Sequence, residues 1–256
     1  MKHLVAVSIV GVVLVITGCG GGNNSSDNNP SNSAPPAQAQ GVYTGTTSTG
    51  RTFDVIILPT DTFYAVYGMP VFETFYADGM LTGQGSASNG KFTAIVTDFY
   101  YGEETGVTIT GSVTATYVPG SSVSGTYTEG ANTLTFSGTV PPSSVFNYNK
   151  SASLSDVIGT WAGTLGDGTT AIATVNADGS FSGSDSGCSF SGTMTPDTSG
   201  KNFFRVSVTL GASPCASSGQ TQSGVAVDYL LSDGVTHQLV AGFSATSSGN
   251  VFAAVR

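Results

Sequence analysis

Charge is scarce in this chain of 256 residues, and basic charge scarcest: 9% of residues are charged, with seven Lys and Arg against sixteen Asp and Glu and a net charge of −9. Binding to a phosphate backbone needs clustered Lys and Arg, so nucleic acid is not an expected partner. Only two histidines, His3 and His237, are present, which rules out sites built from several imidazoles. No Cys-x-x-Cys spacing, no clustered His and no Gly-x-Ser-x-Gly elbow occurs, so neither a metal, a cofactor nor a catalytic residue is expected. A triad would have to use His237, which sits in the alternating segment Val235 to Val240 and reads as an outward-facing strand residue. The helix formers Lys, Glu and Leu are sparse, which disfavours helices.

What is present is β material. Gly numbers 35, Phe 14 and Tyr 10, and apolar residues make up 39% of the chain, enough to bury a core. The expected class is all-β, in two domains of roughly 100 residues.

The first eighteen residues have the three regions of an export signal. Met1-Lys2-His3 is a short basic start, Leu4 to Ile16 is apolar except for Ser8 and Gly11, and Thr17-Gly18 are small. The apolar stretch is short for a span of about 20 residues. Ile16-Thr17-Gly18-Cys19 resembles the lipobox of bacterial lipoproteins, with Ile16 where Leu is usual. The resemblance implies a diacylglyceryl thioether on Cys19 and an acylated new amine, a multi-chain anchor in which each buried CH₂ contributes about 0.8 kcal/mol. In Gram-negative members an Asp after the Cys tends to retain the protein in the inner membrane. Gly20 stands here, which implies the outer membrane, facing the periplasm or the cell surface. Residues 19–40 have no large apolar side chain and read as a disordered tether with a reach of about 25 Å.

Beyond the tether the hydrophobic period becomes two. Residues 41–140 read as a first β domain, with strands over 51–58, 63–68, 80–87, 91–100, 106–117, 121–128 and 132–139. The turns between them include Asn89-Gly90, Gly102-Glu103, Pro119-Gly120 and Glu129-Gly130. Pro141-Pro142-Ser143-Ser144 opens a linker over 141–157, with a helical turn near Ser153 to Val157. Residues 158–256 read as a second β domain of eight strands, over 159–165, 169–176, 179–185, 188–195, 202–210, 222–231, 235–243 and 250–255. Eight short strands joined by tight turns suit a small antiparallel up-and-down barrel, with a β-sandwich as the alternative. A transmembrane barrel is disfavoured, since sustained lipid-facing alternation with aromatic girdles is missing.

Both domains open on Gly-x-aromatic-x-Gly-Thr, as Gly41-Val42-Tyr43-Thr44-Gly45-Thr46 and Gly159-Thr160-Trp161-Ala162-Gly163-Thr164, and this internal repeat reads as a duplicated domain. Gly159, Trp161 and Gly163 ahead of an eight-strand meander resemble lipocalin-type barrels. The tandem layout behind a lipid anchor resembles surface solute-binding lipoproteins of the transferrin-binding type. These resemblances imply paired barrels and a binding role, with no binding residue carried over; Trp161 is expected to plug a barrel end.

The remaining cysteines, Cys188 and Cys215, lie on the exported side, where thiols oxidise. They are expected to form a disulfide that stabilises by about 3 to 4 kcal/mol. Asp167-Gly168, Asp178-Gly179 and Asp233-Gly234 lack the spaced carboxylates of a calcium loop and read as turns. Glu103-Glu104 read as solvated charges at a hairpin tip. The aromatics of the first domain exceed what one strand face needs. Among them Tyr64, Tyr67, Phe75, Tyr76, Tyr100 and Tyr101 are candidate ligand contacts, with core packing as the competing role.

Three function classes follow: a non-enzymatic binding or adhesion module with an unknown ligand or envelope partner, a structural envelope protein, and, remotely, a hydrolase. Surplus aromatics on one face favour the first and their burial the second. A buried His237 beside a carboxylate would favour the third.

Overall fold

The computed structural model describes residues 38–71, 74–101 and 107–256, except for the side chains of residues 71, 74, 75 and 107. The expected export signal, Cys19 and most of the tether lie outside the described residues, as do Glu103-Glu104.

Among the described residues, sixteen strands close into two barrels. In the first, β1 (Gly41–Thr47), β2 (Thr52–Ile57), β3 (Thr62–Val71), β4 (Thr74–Ser88), β5 (Lys91–Tyr100), β6 (Val107–Val118), β7 (Ser122–Glu129) and β8 (Asn132–Thr139) pair in chain order, and β8 returns to β1. In the second, β9 (Gly159–Leu165), β10 (Thr170–Val175), β11 (Ser180–Asp185), β12 (Cys188–Pro196), β13 (Phe204–Leu210), β14 (Thr221–Leu230), β15 (His237–Ser244) and β16 (Gly249–Val255) do the same, β16 closing on β9. Every pairing is antiparallel, so the up-and-down barrel holds and the sandwich does not. The Asn89-Gly90 turn joins β4 to β5 with both residues at positive φ, 50° and 74°, the backbone of a two-residue hairpin turn matched to strand twist. One element runs longer than its sequence suggests: β4 begins at Thr74, pairing with β3 across an irregularity at Tyr67/Gly68. A bulge of this kind interrupts the period of two on which strand recognition rests.

The repeated opening motif has a structural reason in each barrel. Tyr43 and Trp161 are fully buried at equivalent places, and each donates a hydrogen bond to the carbonyl four residues back: Tyr43 Oη to Ala39 at 3.0 Å, Trp161 Nε1 to Val157 at 2.8 Å. Both rings plug a barrel end. The second glycine of the motif sits where the last strand crosses the first. A Cβ on Gly45 would lie 2.0 Å from the Ser137 carbonyl oxygen, and one on Gly163 would lie 2.1 Å from that of Ala253. Any side chain at either place would push the closing strands apart.

Alternation along each strand builds three apolar cores. One fills the first barrel from Tyr43, Phe53, Val55, Ile57, Phe63, Phe92, Val96, Val113 and Tyr127. Another fills the second from Trp161, Leu165, Phe181, Met194, Phe204, Val206, Phe243 and Phe252. The third forms a seam between the barrels. Outer-face residues Val42, Ile56, Leu58, Val66, Met80 and Phe99 meet Val225, Val227, Tyr229, Val240 and Val251, with β4 against β16 and β3 against β15. Residues 141–157 join this packing. Phe146 is buried with its ring 5.3 Å from that of Tyr229, and Leu154–Asp156 form a short 3₁₀ turn. Both barrels accordingly fall in one compact unit.

The disulfide expected from the sequence is present. Cys188 at the start of β12 bonds Cys215 in the loop before β14, 27 residues on. Asp167, Asp178 and Asp233 each accept a 2.9 Å hydrogen bond from the backbone N–H two residues ahead, the local bonding of an aspartate that sets a turn.

Candidate functional site

The two barrel interiors differ in what they leave empty. The second encloses about 50 Å³ among Leu165, Phe181, Met194, Val206, Phe243 and Phe252. The first holds a cavity of about 360 Å³. Its walls are inward residues of all eight strands: Thr47 from β1, Phe53, Val55 and Ile57 from β2, Phe63 and Ala65 from β3, Leu81 from β4, Phe92 from β5, Val113 and Ala115 from β6, Val123 from β7, and Leu134 and Phe136 from β8. One end is shut by Tyr43 and by the edge-to-face pair Phe63–Phe92, ring centroids 5.7 Å apart.

Polar groups gather near the opposite end. Arg51, Tyr67, Asp98, Tyr100, Tyr127 and Glu129 all line the cavity there, Tyr67 from the later half of β3 and the others at or near the β1–β2, β5–β6 and β7–β8 hairpins. Arg51 Nε donates to Asp78 Oδ2 at 2.9 Å. Tyr67 donates to Asp98 Oδ1 at 2.7 Å, and the Tyr127 hydroxyl lies 3.3 Å from Asp98 Oδ2 and 3.1 Å from Glu129 Oε2.

Asp98 is 4% exposed. Burial pushes its carboxyl up to about 6, against the two tyrosine hydrogen bonds that favour the ionised form. The same burial, with Asp98 beside them, raises the Tyr67 and Tyr127 hydroxyls far above the ordinary tyrosine range. Both phenols are therefore neutral donors. Chemically the site is an apolar sleeve with an acidic rim.

Of the six aromatic candidates, two line this cavity, Tyr67 and Tyr100. Tyr64 points outward from β3 and packs on the seam. Tyr101 also packs on the seam, and its hydroxyl donates to the Gly249 carbonyl of the second barrel. Tyr76 is exposed on β4, and the side chain of Phe75 lies outside the described residues. Sequence reasoning did not single out Arg51, Asp98, Tyr127 or Glu129. The signal that could have found Asp98 is its phase, inward with Phe92, Ala94 and Val96 on an otherwise apolar face.

His237 does not face outward as expected; its phase is that of the inward Leu239, Ala241 and Phe243. Its Nδ1 lies 2.8 Å from Asp228 Oδ2, and burial pushes the Asp228 carboxyl up to about 6. Neither residue lines the cavity of either barrel. Arg256 completes this end of the second barrel, its guanidinium 4.7 Å over the Trp161 ring and bonded to the carbonyls of Asp156 and Ile158.

No protein-family model matches the chain, and no curated protein matches it. Among solved structures it is similar to the isotype 1 transferrin binding protein B from serogroup B Neisseria meningitidis, at 10% identity and a TM-score of 0.22. The match covers 80% of this chain and 65% of that one, so this chain spans less than two thirds of that protein's length.

Proposed function

We propose that this chain is a non-enzymatic envelope lipoprotein, anchored through Cys19 in the outer membrane, whose first barrel is a calyx for a small, mainly apolar ligand. The observation that carries the reading is the cavity of about 360 Å³. It falls within the roughly 300–1,000 Å³ of ligand pockets, and its apolar lining with a few convergent polar groups is their usual chemistry. The second barrel, filled by its own side chains, braces the first across the seam. Its filled core favours a structural role, so the scaffold class of function is assigned to that half of the chain.

The experiment is a titration with Nile red, a neutral apolar dye. One bright, blue-shifted site per chain is expected, abolished by Ala65→Trp, which fills the first cavity, and retained in Ala173→Trp, the same change at an inward alanine of the second barrel. Dye binding indifferent to Ala65→Trp would sink the calyx. The anchor has its own test: Cys19→Ala should move the protein from the membrane to the soluble fraction, and a variant still held in the membrane would remove that part of the reading.

A further inference from the structure

The rim of the first barrel has more acceptors than donors. Asp98 and Glu129 face each other across the Tyr127 hydroxyl, at 3.3 and 3.1 Å. A phenol has one proton to donate, so Tyr127 can satisfy one of the two carboxylates at a time. Tyr67 supplies one more donor, to Asp98 Oδ1. The only cation among the described lining residues is Arg51, and its charge is matched by Asp78 at 2.9 Å. What remains is two carboxylates with no cation in hydrogen-bond contact, Arg51 acting on Asp98 only from further off, and one of the two is 4% exposed, at the polar end of an apolar sleeve. Buried charge of this kind is costly unless it is paired. An anionic head group placed there would meet like charge, whereas an ammonium would bring both the missing charge and the missing N–H donors.

Resting on the calyx reading, we infer that the ligand of the first barrel is an amphiphile with a cationic, hydrogen-bond-donating head, an alkylammonium or related amine, seated against Asp98 and Glu129 with its apolar tail toward Phe63 and Phe92. The titratable groups facing Asp98 are Tyr67 and Tyr127, with Glu129 and Arg51 further off. With its carboxyl at about 6, Asp98 is ionised at neutral pH and available to the cation, and a bound cation would favour that ionised form further.

The test is displacement of Nile red from the purified full chain carrying Cys19→Ala, which has no acyl chains to take up dye, without detergent and at about pH 8, where alkylammonium and alkanoate are both charged. The competitors are dodecanol, dodecylammonium and dodecanoate, equal in tail and different in head. Dodecylammonium is expected to bind about tenfold or more tightly than dodecanol, and dodecanoate to bind weakest. The double variant Asp98→Asn, Glu129→Gln should bring the ammonium down to the affinity of the alcohol while leaving the alcohol unchanged, which shows that the cavity is intact. If dodecanol binds and dodecylammonium binds no tighter, or dodecanoate binds tightest, or the double variant keeps the ammonium preference, the inference is overturned and the calyx stands. Failure of all three, with no Nile red bound, overturns both.

Discussion

The two barrels share strand number, pairing order, opening motif and end plug, yet one is hollow and the other is full. Both begin on a buried aromatic that bonds the carbonyl four residues back, and both close through a glycine that lets the last strand cross the first. The second then spends its interior on Phe181, Met194, Phe204, Phe243 and Phe252 and adds the Cys188–Cys215 bond. The first keeps space and rims it with Asp98, Tyr127 and Glu129. Turn chemistry and alternation decide that a barrel forms; summed side-chain volume decides whether it can hold anything. On the proposed reading, the two barrels divide binding and bracing between them.

The sharpest way to break this contrast is to unpin the full barrel. Reducing the disulfide, or Cys188→Ser, should cost about 3 kcal/mol, with amide hydrogen exchange rising across β12 to β14 before β2 to β6. Equal loss of protection in both barrels would instead mean that the seam makes them unfold as one.

A matched pair of substitutions comes next. Ala65 and Ala173 are both buried on inner faces. Ala173→Trp should overpack the second core and cost about 1–3 kcal/mol or more, whereas Ala65→Trp enters the cavity and should cost less than about 1 kcal/mol, both read from urea midpoints. Equal costs would mean that the first barrel is not hollow in solution.

The smallest effect concerns pH. The Asp98 carboxyl stands at about 6 in the fold against an ordinary 3.8, so between those values the folded state holds a proton that the unfolded state has lost. Its contribution to stability is fully present below the ordinary value and is lost as pH rises through about 6. Asp98→Asn, which keeps an acceptor for Tyr67, should remove this component. The parallel components of Asp54, pushed up to about 7, and Asp228, at about 6, should stay. Urea midpoints measured across that range, identical in shape for wild type and variant, would show that Asp98 does not titrate there.

Much of the fold was legible in the sequence because its carriers are local. Asn89-Gly90 and the Asp-Gly pairs announce their turns, and Phe92, Ala94 and Val96 announce an inner face by period alone. The seam was not read, although it left a trace. Val55-Ile56-Ile57-Leu58 and Leu239-Val240-Ala241 are apolar on both faces rather than alternating, as in strands covered on both sides. That trace explains the fate of the aromatics, since Tyr64 and Tyr101 belong to a contact between domains that no local pattern specifies. The cavity was illegible for a different reason. Inward residues are apolar in both barrels, and whether they meet across the middle depends on eight strands at once. Only the acidic rim had a one-residue signature, an Asp in the phase of a core.

The seam has a temporal side. The outer face made by Val42, Ile56, Leu58, Val66 and Met80 belongs to strands β1 to β4, while its cover comes from β14 to β16, ending at Val251. A chain that folds from its N-terminal end as it is made can close its first barrel early, since β1 needs only β8. It then presents an uncovered oily wall until the final strands arrive, an interval in which a partly folded chain is prone to aggregate.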